Sequence, residues 1–105
     1  MLQLKQRPTA IFAANDDMAA GAMMVAHQAG IKIPAELSVA GFDDTPVAHQ
    51  IWPALTTVRQ PIQQMAKKAT ELLIKQLRGK SVQLPASMLS SSIIERQSTG
   101  PAPKK

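Results

Sequence analysis

The chain has 105 residues, a formal net charge of +5 and no cysteine. This length allows at most one small domain with a modest core, and the lack of cysteine excludes disulfides and thiolate metal sites. Hydrophobic residues make up 45% of the chain, as in globular rather than disordered proteins. No apolar segment is long enough for a signal peptide or a membrane span, so we expect a cytoplasmic protein with no membrane partner.

The excess of positive charge invites a nucleic-acid interpretation, which the arrangement of the basic residues does not favour. No aromatic residues lie between them to stack on bases. A solvated helix face and charged chain ends explain them better. The basic residues concerned are Lys5, Arg7, Lys67, Lys68, Lys75, Arg78, Lys80, Lys104 and Lys105.

The first half of the chain predicts a strand, a helix and a second strand. The uninterrupted apolar run at 8–14 is typical of a strand buried on both faces. A helix follows from about 17 to 29 and ends at Gly30, and Gly21 inside it is expected to permit close packing against another backbone. The second strand, 38–42, then predicts a parallel crossover.

The second half begins with a short helical turn at 47–51 and an extended segment at 54–60. The best helix of the chain runs from 61 to 79, with a continuous apolar stripe at 3.6-residue spacing. Residues 86–96 are predicted to form one irregular strand. The composition of residues 100–105 predicts a disordered tail.

Each of the two predicted strands ends at a pair of acids, Asp16–Asp17 and Asp43–Asp44. The carboxyl ends of parallel strands are where open α/β sheets hold ligands. We interpret Asp16 as a helix cap, Asp17 as a solvated acid of the first turn, and Asp44 as a turn residue. Asp43 is the strongest ligand candidate, because a carboxylate directly after a strand can accept two hydroxyl hydrogen bonds. The amide of Asn15 can both donate and accept, so Asn15 is the second candidate.

Four carboxylates at one edge could instead bind Mg²⁺, as in a phosphoacceptor receiver domain. That arrangement needs a further acceptor Asp and a later Lys at strand ends, and neither stands at a suitable place. His27 and His49 lack the spacing of a zinc site. We therefore predict no metal, no cofactor and no catalytic residue, and expect that the protein is not an enzyme.

Three blocks of the sequence together resemble a known family. They are PTAIFAANDDMAAGAMMVAHQAGIKIPAELSVAGFDDTPVA, PALTTVRQP and, after the long helix, IIERQST. In order and spacing they closely resemble the C-terminal part of the effector-binding region of LacI/GalR-type transcriptional repressors. The resemblance extends from about Pro8 to Thr99, and its motifs are specific only in combination.

The resemblance implies an α/β fold, namely an incomplete parallel-sheet C-terminal subdomain of a periplasmic-binding-protein-like fold. It implies that Asn15 and Asp43 face a small sugar or nucleoside effector and that Asp16 begins the helix. It also implies a homodimer in the full-length protein. The residues matching the family's dimer surface are Ala20, Met23, Met24, Gln50, Ile51 and Trp52.

The resemblance gives a domain organisation: residues 1–7 as an N-terminal extension, 8–99 as a partial effector-binding domain, and 100–105 as a tail. The family's helix-turn-helix headpiece, hinge helix and first subdomain have no counterpart in this sequence. We therefore expect a truncated reading frame or a fragment, with operator DNA bound only through a headpiece missing here. A fragment of a periplasmic-type sugar-binding transport protein is the alternative, and a receiver-type domain the second.

By resemblance, helix 61–79 packs on the first subdomain in the complete protein. Its stripe would then lack a partner in this chain, and we expect the isolated chain to be marginally stable or to aggregate through it. The stripe consists of Ile62, Met65, Ala69, Leu72 and Leu73.

Overall fold

A computed structural model describes residues 1–80 and 89–104 of the chain. Helices and strands alternate, so the predicted α/β class is confirmed, although each strand is shorter than its apolar run. The elements in chain order are β1 (Ala10–Phe12), α1 (Asp16–Gln28), β2 (Ser38–Ala40), α2 (Val47–Gln50), β3 (Thr57–Arg59), α3 (Ile62–Leu77) and β4 (Ser92–Ile94).

The strands form two ladders that backbone hydrogen bonds connect. β1 pairs in parallel with β2, which confirms the predicted parallel crossover through α1, and β3 pairs antiparallel with β4. The segment from β2 onward runs parallel to β3, because Gly41 N donates to Thr56 O and Asp43 N donates to Val58 O, each at 2.9 Å. The chain after β2 is thereby fixed against β3 up to the second acid pair.

The ends of α1 are set by Asn15 and Gly30. Asn15 has extended backbone (φ −153°), and its Oδ1 accepts a hydrogen bond from Met18 N at 2.8 Å. Gly30, with φ +73°, follows the C-cap residue Ala29 as predicted, since glycine adopts this left-handed conformation without a steric penalty. The prediction that Asp16 caps the helix is wrong: Asn15 holds that position, and Asp16 is the first helical residue.

The core lies between α1 and β2 and includes Met23, which is only 2% exposed. β1 is not buried on both faces as predicted. Ile11 packs against the core, whereas Phe12 is 69% exposed, because successive strand residues point to opposite faces and the described residues cover only one of them. The buried apolar residues are Ala13, Ala19, Met23, Ala26, Ile31, Leu37, Val39, Ala48 and Leu55.

The chain divides into two compact units, one formed by residues 1–59 and 92–105 and the other by residues 60–91. The second unit contains α3, so the prediction of a helix over 61–79 is confirmed to within two residues at each end. None of the residues of α3 is buried. Within the described residues, the predicted apolar stripe is therefore uncovered.

β4 is shorter than the predicted strand 86–96, of which residues 86–88 lie outside the described part of the chain. After β4 the chain follows the far side of β2. Ser98, fully buried, donates its hydroxyl to Val39 O and accepts from Thr56 N. Gly100, the first residue of the predicted tail, exchanges two hydrogen bonds with Ser38 at 3.1 and 3.2 Å.

Among the described residues, the longest helices are too short or too polar to cross a lipid bilayer.

Candidate functional site

The two acid pairs meet at one edge of the β1–β2 ladder, where both parallel strands have their carboxyl ends. Asn15 and Asp16 follow β1, and Asp43 and Asp44 follow β2. Asp16 N donates to Phe42 O at 3.2 Å, which ties the two turns together directly. The four acids do not form one cluster, however, because each has a different environment.

Asp16 is a buried carboxylate whose oxygens are occupied by threonine groups. Its side chain is fully buried. Oδ2 accepts from the Thr45 backbone N at 2.6 Å and from Thr45 Oγ1 at 3.1 Å, and Oδ1 accepts from Thr57 Oγ1 at 2.6 Å. A buried charge is tolerated only when it is hydrogen-bonded in this way. Asp16 therefore joins the start of α1 to the turn after β2 and to β3.

Gly41 is the residue that lets Asp16 approach so closely. A Cβ atom at position 41 would collide with Asp16 Oδ1 and would lie 2.9 Å from Leu55 Cδ2 and 3.2 Å from Asp16 Cα. The Cα atom is backbone and cannot move aside cheaply. A glycine is thus required at the point where β2 passes the first turn of α1.

Asp44 forms the main charged cluster of this edge. Its side chain is 5% exposed; Oδ1 accepts from Arg96 Nη2 at 2.7 Å, and Oδ2 lies 2.7 Å from both Nε and Nη2 of Arg59. Arg96 also donates Nη1 to Leu55 O at 2.8 Å. The exposed His49 places Nε2 3.6 Å from Asp44 Oδ1 and 3.3 Å from Arg96 Nη2.

The protonation of Asp44 follows from opposing effects. Burial alone would raise the pKa of its carboxyl group, but hydrogen bonds and charges from Arg96 and Arg59 outweigh burial and lower the pKa below the ordinary value. A group with opposite charges within hydrogen-bond distance favours its charged form. Asp44 is therefore an anion at neutral pH.

Asp43 and Asp44 both have positive φ angles, 110° and 59°. L-residues rarely adopt this region, and aspartate tolerates it better than most. The Asp43 side chain is exposed to solvent, while its backbone N is fixed on Val58 O. Asp43, the predicted ligand candidate, thus stands at the open surface of the edge.

Asn15 and Asp17 lie beside this edge with different exposures. Asn15 is half-buried and already uses Oδ1 to cap α1, while Asp17 is exposed in the first turn. Within residues 1–80 and 89–104, no group of three or more His, Asp or Glu side chains could hold a metal ion. Asp16 and Asp44 are satisfied by threonine and arginine donors, so their oxygens are not arranged for Mg²⁺.

Most of the residues predicted at a dimer surface line one open groove of about 480 Å³ between α1 and α2. Met24 and Trp52 are 62% and 81% exposed, whereas Met23 belongs to the core. Gln50 is exposed but does not line the groove. The lining residues are Ala20, Met23, Met24, His27, Gln28, Val47, Ile51 and Trp52.

The wall of this groove is fixed by a hydrogen bond from His27 to the backbone of Trp52. The His27 Nε2 atom lies 3.0 Å from Trp52 O. A carbonyl oxygen only accepts, so Nε2 carries the proton. The bond holds the Trp52 segment against α1 and leaves the indole exposed.

Sequence reasoning missed the arginine partners of Asp44 and the threonine partners of Asp16. Arg59 and Arg96 lie 15 and 52 positions from Asp44 along the chain, too far for any local pattern to pair them. One signal was present in the sequence: the segments TTVR and SSIIER each end in an arginine, Arg59 and Arg96. An arginine at the end of a predicted strand is a possible partner for an acid at the same sheet edge.

Comparison of the chain with known proteins identifies its family. A family profile described as the periplasmic binding protein-like domain matches residues 1–99. This chain belongs to that family.

Relatives within the periplasmic binding protein-like family include transcriptional regulators. The chain is 56% identical over 71 residues to the HTH-type transcriptional regulator GalS of Salmonella typhimurium, covering 68% of this chain and 21% of GalS. A periplasmic binding protein/LacI transcriptional regulator from Alkaliphilus metalliredigens, complexed with D-xylulofuranose, is 35% identical with a TM-score of 0.79; the match covers 89% of this chain and 35% of that one.

A Lac repressor dimer bound to operator and to the anti-inducer ONPF is also similar, with 35% identity and a TM-score of 0.77. The match covers 88% of this chain and 32% of the repressor chain. The chain thus spans between about a fifth and a third of the length of these proteins. The relatives are LacI/GalR-type regulators, not enzymes, which confirms the resemblance seen in the sequence.

Proposed function

We propose that this chain is part of a LacI/GalR-type transcriptional repressor and supplies one side of its effector site. The observation that carries the proposal is the shared edge of β1 and β2, where Asn15 and the exposed Asp43 follow neighbouring parallel strands. Ligands of open α/β sheets bind at this position. The similar regulator complexed with D-xylulofuranose supports a small sugar as the effector, and a nucleoside is the other class that the family resemblance implies.

Asp43 is proposed as the residue that accepts hydrogen bonds from effector hydroxyls. Charge-assisted hydrogen bonds of this kind are short and strong, and a pair of adjacent hydroxyls can satisfy both carboxylate oxygens. Asp16 and Asp44 are unsuited to that role, because threonine and arginine donors already occupy their oxygens. Asn15 contributes its side-chain NH₂ group, since its Oδ1 caps α1.

The proposal is tested by NMR titration of the chain with D-xylulose. We expect weak binding, because one side of a site holds a sugar poorly, with shifts of the backbone amides of Asn15 and Asp43. Asp43→Ala should abolish these shifts. The matched control is Asp17→Asn, which removes an exposed acid close by and should titrate like the unaltered chain.

If Asp43→Ala titrates like the unaltered chain, Asp43 is not an effector ligand. Repeating the titration with a nucleoside separates the two effector classes, since only the correct class should shift both amides. Shifts confined to residues elsewhere, for both ligands, would refute this edge as the effector site.

The groove between α1 and α2 is proposed as part of a homodimer interface. A tryptophan that is 81% exposed beside exposed Met24 forms an apolar patch of the kind that marks protein interfaces. The similar Lac repressor is a dimer, which supports a second copy of the chain as the occupant. Ala20, Ile51 and Gln50 are the other proposed interface residues, whereas Met23 contributes mainly to the core.

The interface is tested by sedimentation equilibrium of the chain with Ile62 and Leu73 replaced by Gln, so that the exposed stripe of α3 contributes less to association. In this background we expect a concentration-dependent dimer, which Trp52→Ser should weaken at least tenfold in dissociation constant. Phe12→Ser is the control, because Phe12 is also exposed but lies on β1 away from the groove. Equal dimerisation of the Trp52→Ser and Phe12→Ser variants would contradict the interface.

In the complete protein, effector binding at this edge would change the affinity for operator DNA. Such coupling requires that the effector bind two states of the protein with different affinity. Operator contacts are assigned to a headpiece outside this sequence. A cytoplasmic location is proposed on the same basis, because the regulator must reach DNA.

A further inference from the structure

Asp44 connects three parts of the chain that are far apart in sequence. It directly follows Asp43, it binds Arg59 at the end of β3, and it binds Arg96 just after β4. β3 leads into residues 60–91 and β4 leads back from them, since the compact units divide after Arg59 and before Ser92. We name Asp44 with Arg59 and Arg96 the Asp44 clamp.

The geometry of the clamp is restrictive. Each carboxylate oxygen of Asp44 has its own guanidinium at 2.7 Å, and Arg96, with a side chain 11% exposed, is further fixed on Leu55 O. Arginine presents its donors in a rigid planar fork, so neither guanidinium can shift without moving the carboxylate. The positions of β3, β4 and Asp44 are therefore mutually dependent.

The backbone of the acid pair shows why such a restraint is needed. Two successive L-residues with positive φ are energetically unfavourable and persist only when the surrounding structure imposes them. The contacts that restrain it include the Asp43 N–Val58 O hydrogen bond, the longer contact of Asp44 N with Thr57 Oγ1 at 3.4 Å, and the clamp. Of these, only the clamp involves both strands.

We propose that Asp44 is a positioning residue: it holds Asp43 in its exposed, positive-φ conformation and links that conformation to β3 and β4. The ligand role of Asp43 rests on the proposed function, but the linkage itself does not. A displacement of either strand is expected to change the backbone conformation of Asp43 and the position of its side chain at the surface. By reciprocity, a ligand that binds Asp43 in one conformation favours one arrangement of the two strands.

The experiment measures backbone amide hydrogen exchange by NMR in the chain without effector. Arg59→Met should speed exchange of the Asp43 amide at least tenfold and should also change the chemical shift of the Arg96 amide, which lies just after β4. In an Asp44→Asn background, Arg59→Met should have no further effect at Arg96, because the link is already broken. A purely local structural role of Arg59 would give the same effect in both backgrounds.

Arg59→Lys is the conservative variant and should restore part of the protection, since lysine keeps the charge but not the fork. Asp17→Asn is the charge-matched control and should change neither amide. The proposal fails if Arg59→Met affects Arg96 equally with and without Asp44, or if it leaves the Asp43 amide unchanged. Arg59 is 55% exposed in its side chain, so its substitution is expected to leave the fold intact even where Asp44→Asn does not.

This readout needs no sugar, so its failure is distinct from a failure of the D-xylulose titration. If D-xylulose binds but the effect of Arg59→Met on the Arg96 amide does not depend on Asp44, the effector site is supported and the clamp is rejected. If the effect of Arg59→Met on the Arg96 amide depends on Asp44 but no sugar binds, the clamp is supported and the effector site is rejected.

Discussion

At the residue scale, neighbouring acids of the same type have separate tasks because their environments differ. Asp16 is fully buried and bound by Thr45 and Thr57, whereas Asp17 beside it is exposed. Asp44 is bound by two arginines, and Asp43 before it faces solvent. Asp16 directly follows Asn15, and Asp44 directly follows Asp43. Each of the two residues proposed to meet the ligand therefore has a firmly bound acid beside it in the chain.

The lowered pKa of Asp44 predicts an acid-dependent loss of stability. A carboxyl group whose folded-state pKa lies below its unfolded value, about 3.9 for aspartate, stabilises the fold above that value. This contribution is lost as the pH falls through the lower folded-state pKa. The free energy of unfolding of the chain should therefore exceed that of Asp44→Asn at pH 6, and the difference should shrink as the pH falls below about 4.

Urea titrations of both chains across this range measure the difference. His49, Arg59 and Arg96 are the charged or titratable groups that face Asp44. A difference that stays constant down to pH 2 would contradict ionic stabilisation by Asp44.

At the element scale, the first turn of α1 is held by contacts with other parts of the chain, in addition to the packing of its buried face in the core. Asn15 caps it, Asp16 fastens it to β3, and Gly41 allows β2 to pass close to it. Further along, the outer surface of α1 is open: a Cβ at Gly21 would meet no atom within 4 Å. The expectation that Gly21 packs closely on another backbone is therefore not met within the described chain.

Two glycine-to-alanine substitutions should have opposite effects for this reason. Gly41→Ala forces a Cβ against Asp16 and should destabilise the fold by about 1–3 kcal/mol, the usual range for overpacking. Gly21→Ala relieves the entropy cost of a glycine inside a helix and should stabilise it by about 0.5–1 kcal/mol. Urea unfolding followed by circular dichroism gives both values, and a loss of stability in Gly21→Ala would mean that its surface is covered.

At the scale of the whole molecule, none of the described residues in the second compact unit belongs to the buried core. α3 has no buried residue, and Ile62, Leu73 and Leu77 are 58%, 56% and 79% exposed. A groove of about 370 Å³ within this unit is lined by apolar side chains including Met65, Ala69 and Leu72. An exposed apolar surface of this kind marks a region made to be covered or prone to association.

Replacing Ile62 and Leu73 of the stripe together by Gln should raise the temperature at which the chain begins to aggregate. Gln keeps the helix propensity of α3 nearly unchanged while removing apolar surface. Light scattering during heating measures the onset. The control replaces Lys67 and Lys75 by Gln, which leaves the apolar surface in place and should not delay aggregation.

On heating, the unaltered chain should aggregate as it unfolds, because the apolar surface of α3 is exposed. A soluble monomer with a sharp, cooperative transition would show that α3 does not need a partner, and would refute the expectation of marginal stability.

The sequence by itself determined the α/β order, the C-terminal end of α1, the ends of α3 to within two residues, and the meeting of two acid pairs at one sheet edge. These features depend on local signals, such as the cap residues, Gly30 and the apolar periodicity, and the family motifs agreed with them. Only the tertiary structure decided what each acid does. The partners of Asp16 and Asp44 lie up to 52 residues away, and no local pattern encodes which distant threonine or arginine a folded chain brings to a buried carboxylate.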